Sequence, residues 1–269
     1  MIASDPWVLA VAALWCACAL PPEPADQGPD RLEQFFSGEV EVIDLTHALS
    51  SSSTYWLGPS GNPFEHEILT AHESGRPRMA RYSTPEHHGT HLDAPTHSAD
   101  HQPTVDELTA DDLFGPAAVI DVSAQCEADA DYELTTEDVL AWEQAHGPLP
   151  EGAIVIMSTG WSRKYDDAAA YNNEDTDGEK HFPGFSEEVS RFLVAERAIR
   201  GIGIDTLSVD PAVSKSYPVH GIVNGAGKYH LENVAEVHRL PATGAFLIVA
   251  PIKIAGGSGG QVRIFAVVP

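Results

Sequence analysis

The run His87-His88-Gly89-Thr90-His91-Leu92-Asp93-Ala94-Pro95-Thr96-His97 concentrates more chemistry than any other stretch of this 269-residue chain. His87, His91, Asp93 and His97 all stand at odd positions. Side chains of an extended segment alternate from face to face, so these residues are predicted to project from one side. A helix would also align His87 with His91, but Gly89, Thr90 and Pro95 oppose a helix there. Pro95 ends regular strand pairing and leaves His97 on a turn that bends back toward the others. A lone histidine is usually structural, whereas imidazoles in this alternation with a carboxylate are hard to place without a cation. Neutral imidazole and carboxylate suit Zn²⁺, Mn²⁺ or Fe²⁺.

Downstream, His220-Gly221-Ile222-Val223-Asn224-Gly225-Ala226-Gly227-Lys228-Tyr229-His230-Leu231-Glu232-Asn233 forms a second cluster. Its Gly/Asn-rich middle predicts a turn, with His220 and Glu232 on adjacent strands or on a loop and a strand. Spacing alone leaves that pairing open, because His230 shares one strand face with Glu232.

Around these clusters the chain reads as strands with few helices. Strands are predicted at Val40–Leu45, Ala117–Val122, Ala153–Ser158, Gly201–Asp205, Ala245–Ala250 and Val262–Val268. Thr135 caps one predicted helix, with Asp138 in the capping-box position and Val139 and Trp142 on its inner face. Ser186 caps a second, where Val189, Phe192 and Leu193 give apolar periodicity. Residues 163–181 are polar and predict a long loop, either plain surface or a lid. No internal repeat is visible, and the pattern predicts one α/β domain with a strand-rich core over residues 39–269.

Composition narrows the function classes. Forty acidic against fifteen basic residues give a formal net charge of −25. That excludes nucleic acid as a natural partner, since phosphates reward Lys and Arg, and it disfavours an anionic membrane surface. The apolar stretch from Trp7 to Leu20, followed by Pro21-Pro22-Glu23-Pro24, resembles an export signal ending near Ala17-Cys18-Ala19, although no Lys or Arg precedes it. Residues 1–19 are therefore expected to be a signal peptide and 20–38 a linker. The expectation is secretion or a periplasmic location, with lipid attachment at Cys16 or Cys18 or a misplaced start codon as the rival readings. Of the three cysteines only Cys126 then remains, so no thiolate metal site is available.

The pattern His87-x-Gly89-Thr90-His91-x-Asp93-x-Pro95-x-His97 resembles the signature of the cyclase-family hydrolases, which include bacterial kynurenine formamidases and isatin hydrolases. Asp44-Leu45-Thr46-His47 is similar to that family's opening strand, and Gly203–Asp210 to its central strand and site loop. Leu231-Glu232-Asn233 and Gly256–Arg263 extend the likeness, which covers roughly residues 40–269. The resemblance implies the family's swivelling β/β/α domain, and it implies roles. His87, His91 and Asp93 bind one divalent metal, Zn or Mn; Asp93 bridges to a second held by His220 and Glu232. One ion or two are both compatible with the family. His97 takes the place of the acid/base, a third terminal ligand being its alternative. A homo-oligomer, dimer or tetramer, is expected on the same ground.

The reaction so implied is arylformamidase-like hydrolysis of a formamide or cyclic amide by metal-activated water, with N-formylkynurenine as the leading named substrate and a lactone as the alternative, His97 moving the proton to the leaving nitrogen. Tyr55 and Trp56 are candidate stacking partners for an aromatic small-molecule substrate, in a stretch where Leu57 replaces the proline expected of formamidases. A non-hydrolytic cyclase or dehydratase, and a catalytically inactive binding module, are the rival classes. Asp205 and Asp210 are candidate acceptors for ligand imidazoles, a structural role at the strand end being the alternative. Gly201-Ile202-Gly203-Ile204-Asp205 lacks the third glycine of a dinucleotide fingerprint. Ser158–Ser162 lacks a nucleophile elbow, and His101 reads as a solvated loop residue.

Overall fold

The structure, a computed structural model, describes residues 37–38, 40–55, 63–72 and 75–269. The expected signal segment, nearly all of the linker, and Trp56 with Leu57 lie outside the described residues. Within them the strands are β1 (Glu41–Asp44), β2 (Glu65–Thr70), β3 (Met79–Ser83), β4 (His91–Asp93), β5 (Phe114–Asp121) and β6 (Glu133–Leu134). They continue as β7 (Ala153–Ser158), β8 (Gly184–Phe185), β9 (Ile199–Ile204), β10 (Tyr229–Glu232), β11 (Phe246–Pro251) and β12 (Gly259–Val268). The three longer helices are α1 (Thr136–His146), α2 (Glu187–Glu196) and α3 (Pro218–Gly225).

Seven strands close on themselves in the order β12-β11-β5-β7-β9-β10-β4, with β4 returning to β12 and β1 added outside on β12. Closure removes the open edges that a flat sheet would present. The strands β5, β7, β9 and β10 run parallel, and the rest pair antiparallel. β12 manages two neighbours on one side because it is long. Gly259–Gln261 pairs with β4, and Phe265–Val268 pairs with β1.

Alternation builds two cores. In β7 every residue is buried, as a strand covered on both faces requires. Ile154 and Ile156 face the barrel interior with Val119, Leu231, Leu247 and Ile264. Ala153, Val155 and Met157 face outward, against Val139 and Trp142 of α1 and Val189 and Leu193 of α2. The caps lie where the sequence predicts them. Thr135 accepts from Asp138 N–H at 3.2 Å while Asp138 accepts from Thr135 N–H at 2.9 Å; such a cap contributes about 1 kcal/mol. Ser186 accepts from Val189 N–H at 3.1 Å. Trp142 donates its indole N–H to the Val119 carbonyl at 2.9 Å, which ties α1 to β5.

The predicted strands all form, with ends shifted by a few residues. Residues 163–181 are more than a loop. They carry a 3-10 turn at Trp161–Lys164 and a short helix at Ala168–Asn172. Trp161, Tyr165, Tyr171 and Phe182 bury themselves with Leu207 in a third cluster beneath the segment. Tyr171 has no exposure, and its hydroxyl reaches both the Asp205 carbonyl and the Asn233 side-chain oxygen at 2.9 Å. Among the described residues, no helix is long and apolar enough to cross a membrane.

Candidate metal centre

The site begins as a register. β10 and β4 pair antiparallel with His230 opposite Asp93, Leu231 opposite Leu92, and Glu232 opposite His91. Period-two alternation then sorts the side chains. Leu92 and Leu231 enter the barrel core, while His91, Asp93, His230 and Glu232 share the other face, where all four are buried. The one-face arrangement expected for the motif thus holds for its strand portion. His87 precedes β4 in a bend, and Pro95 starts the 3-10 turn that carries His97.

The 220–233 segment departs from expectation. Residues 218–225 form α3 rather than a turn, so His220 reaches the centre from a helix and Glu232 from a strand. Pro218 at the first helical position and two buried valines, Val219 and Val223, favour the helix over the turn that glycine content alone suggests. Asp210 then does two jobs. Its carboxylate accepts the N–H groups of Val219 at 2.9 Å and His220 at 3.1 Å, satisfying the helix start. It also takes His220 Nδ1 at 2.5 Å, which turns Nε2 toward Asp93 at 3.4 Å and Glu232 at 3.5 Å. Asp205 has no such role. Standing beyond the end of β9, it accepts from Thr159 N–H, Thr159 Oγ1–H and Ser162 N–H of the neighbouring strand's exit, so of its two expected roles Asp205 takes the structural one at the strand end.

The other imidazoles are oriented as firmly. His91 Nδ1–H donates to the Gly89 carbonyl at 2.9 Å, and its Nε2 lies 3.2 Å from Asp93 and 3.4 Å from Glu232. Gly89 adopts a left-handed φ of +67°, natural to glycine alone, to present that carbonyl. His87 Nδ1 is 2.5 Å from Asp93 Oδ1, and its Nε2 is 2.9 Å from Ser258 Oγ. Ser258 is held in turn by Glu86 through its N–H at 2.9 Å and its hydroxyl at 2.7 Å. Thr90 donates to the Asn233 carbonyl at 2.7 Å and accepts from His47 N–H at 3.0 Å, locking the motif to β10 and to the chain after β1.

Electrostatics follow from burying acids and imidazoles against one another. Burial and then the adjacent Asp93 carboxylate push Glu232 up to about 7. Burial alone would lower His91, but Asp93 and Glu232 outweigh it and raise it to about 9. Burial would raise Asp93, yet the surrounding imidazoles hold it well below the usual carboxylate range. His230, with no exposure, is pushed down to about 4 by burial and stays neutral.

Two donor groups have the composition of cation sites: Asp93, His220, His230 and Glu232, all buried, and His87, Asp93 and His97, opening toward solvent. Buried carboxylates side by side, each facing imidazole nitrogens at 3.2–3.5 Å, fit a divalent cation held by nitrogen and oxygen. A cavity of about 410 Å³ opens over the cluster. Tyr55, Leu207 and Tyr217 give it apolar walls, and Ser98, Ser208 and Asn233 polar ones. His97 stands exposed at its mouth, ring centroid 3.9 Å from that of His87 and 5.7 Å from that of His220. The sequence pointed to Tyr55 as a lining residue but missed Tyr217, at the left-handed start of α3, and the Glu86–Ser258 support of His87. Only the register could reveal the former's neighbours or bring Ser258 beside His87. His88 belongs elsewhere: it is buried on the opposite side, bonded to Thr84 Oγ1 at 2.9 Å and edge-on to Tyr55.

Comparison with known proteins agrees with this geometry. The family model described as "Putative cyclase" matches residues 43–211. An isatin hydrolase from Roseibium aggregatum is 33% identical over 251 residues, covering 88% of this chain and 95% of that protein. A kynurenine formamidase from Bacillus cereus is 29% identical over 230 residues, covering 83% and 95%. Among solved structures, isatin hydrolase A from Ralstonia solanacearum superposes with a TM-score of 0.83 at 36% identity, over 91% of this chain and all of that one.

Proposed function

The chain belongs to the Cyclase family of metal-dependent hydrolases, and on that premise we propose that it hydrolyses a cyclic amide fused to an aromatic ring, a compound of the isatin type. The observation that carries this reading is the shape of the cavity: the imidazole–carboxylate cluster is its floor, and Tyr55, Leu207 and Tyr217 supply flat or apolar walls above it. A planar aromatic lactam stacks on such walls with its carbonyl toward the floor. Among the described residues the cavity is lined by tyrosines and no Lys or Arg, which agrees with an uncharged substrate.

A divalent cation held by this donor set, Zn²⁺ or Mn²⁺, supplies Lewis-acid chemistry: it makes water a nucleophile at neutral pH and polarises the carbonyl. His87, His91 and Asp93 would hold it, and Asp93, His220 and Glu232 would hold a second ion if one binds. Water adds to the lactam carbon, the C–N bond breaks, and one proton must travel from water to nitrogen. His97 is placed to move it, being at the mouth beside His87 and not buried. Ser98 and Ser208 offer hydroxyls to the carbonyl groups of the substrate.

A formamide such as N-formylkynurenine is the second reading, supported by the kynurenine formamidase relative. The test is turnover of isatin, N-formylkynurenine and a simple lactone by purified protein, with and without chelator. Isatin turnover that exceeds the others and is abolished by chelation is expected. Preference for the open-chain formamide would reverse the ranking, and no hydrolysis by metal-loaded protein would overturn the proposal.

A further inference from the structure

His230 is the one imidazole at this centre that the family pattern does not use. It is completely buried, and neither ring nitrogen has a hydrogen-bond partner. Leaving such a polar group unsatisfied in a buried site is costly. An apolar residue at this strand position would avoid that cost, so the imidazole needs a reason.

The register supplies one. His230 stands directly across from Asp93, and its Nδ1 lies 3.5 Å from Asp93 Oδ2. His220 Nε2 is 3.4 Å from the same Oδ2 and 3.5 Å from Glu232 Oε1. In a tetrahedral site with bonds of about 2.1 Å, ligand atoms are separated by about 3.4 Å. These three separations match that spacing, and one donor atom from each of Asp93, His220, His230 and Glu232 lies within 4.8 Å of all the others. The carboxylates also divide their oxygens. Asp93 Oδ1 and Glu232 Oε2 face His91, whereas Asp93 Oδ2 and Glu232 Oε1 face His220. Two groups of imidazoles therefore stand on opposite sides of a carboxylate pair.

We propose that the inner group is a closed cation site whose ligands are Asp93, His220, His230 and Glu232, with His230 as the ligand that completes it. This rests on the metal-dependent reading above and deepens it. Four protein ligands from three elements leave no position for water, so the inner ion is retained rather than catalytic. The outer locus of His87, His91 and Asp93 opens toward His97 and the cavity, and it takes the water and substrate. The inner site fills first, and the outer ion is the exchangeable one.

Titration of the chelator-stripped full chain with Co²⁺ tests this, read by the visible absorption that distinguishes four-coordinate from six-coordinate Co²⁺. The first equivalent is expected to give the intense four-coordinate spectrum, and to do so also in His87→Ala. In His230→Leu, which fills the space without a donor, that spectrum is expected to vanish and first-ion affinity to fall more than about 100-fold, beyond losses seen when only a ligand's support is removed. His230→Gln, which keeps a polar side chain of similar bulk, is expected to weaken the first ion as well, and it serves if the leucine variant fails to fold. An unchanged first-ion spectrum and affinity in the folded His230 variant overturns the inference and leaves the hydrolase reading standing. A wild-type chain that binds no Co²⁺ overturns both.

Discussion

At the scale of single residues, the centre is organised by groups that fix ring orientation. Asp210 and the Gly89 carbonyl each hold one Nδ1–H, so His220 and His91 both present Nε2 to the same two carboxylates. His97 differs in kind: it stands exposed at the mouth with its ring tilted beside that of His87, and desolvation holds it down to about 4, neutral and able to accept a proton. Replacing it as His97→Asn is expected to lower kcat by about 10²–10⁴-fold, the usual contribution of a positioned acid/base, while metal content is unchanged. Elemental analysis beside the rate measurement checks this; loss of metal in that variant would make His97 a ligand. A second expectation concerns pH. In the metal-free protein His91 is raised to about 9 and Glu232 to about 7, so both carry protons that a cation must displace at lower pH. Metal affinity is therefore expected to fall as pH drops through about 9, and more steeply below about 7, in titrations across that window.

At the scale of elements, the close approach of β12 to β4 carries the centre. A Cβ on Gly259 would meet the Leu92 carbonyl at 2.5 Å and His87 Cε1 at 2.6 Å, so only glycine lets the strands pair beneath His87. Gly259→Ala is expected to destabilise the fold by about 1–3 kcal/mol and to weaken metal binding, seen as a lowered denaturant midpoint and a weaker titration. Elements with strong local signals were legible in the sequence. Ala153–Ser158, with its unbroken apolar run, matches its strand to the residue, and Thr135 and Ser186 cap where capping chemistry requires. The site was legible where it is local, as in His91-x-Asp93. It was not legible where long-range pairing makes it: His230 faces Asp93 and Ser258 faces His87 across separations that no spacing rule encodes. Glycine and asparagine content misread α3 as a turn, because tertiary burial of Val219 and Val223 outweighs weak helix propensity. The polar composition of residues 163–181 likewise hid the anchors Tyr165 and Tyr171, which stand at a wide interval.

At the scale of the molecule, a closed seven-stranded barrel lends rigidity to one short two-strand face, and a helix and a turn bring His220 and His97 over it. The donor side chains sit on β4, β10, α3 and the bend just before β4, and the apolar wall residues line the cavity over them. The net charge of −25 draws divalent cations toward the chain and disfavours anionic substrates, in keeping with a neutral lactam. The central claim is that hydrolysis depends on metal held at this one cluster. Its most direct test is isatin turnover by chelator-stripped protein during stepwise return of Mn²⁺ or Zn²⁺. Turnover that is absent without metal and rises in proportion to bound ion is the predicted result; turnover that survives complete metal removal would contradict the account.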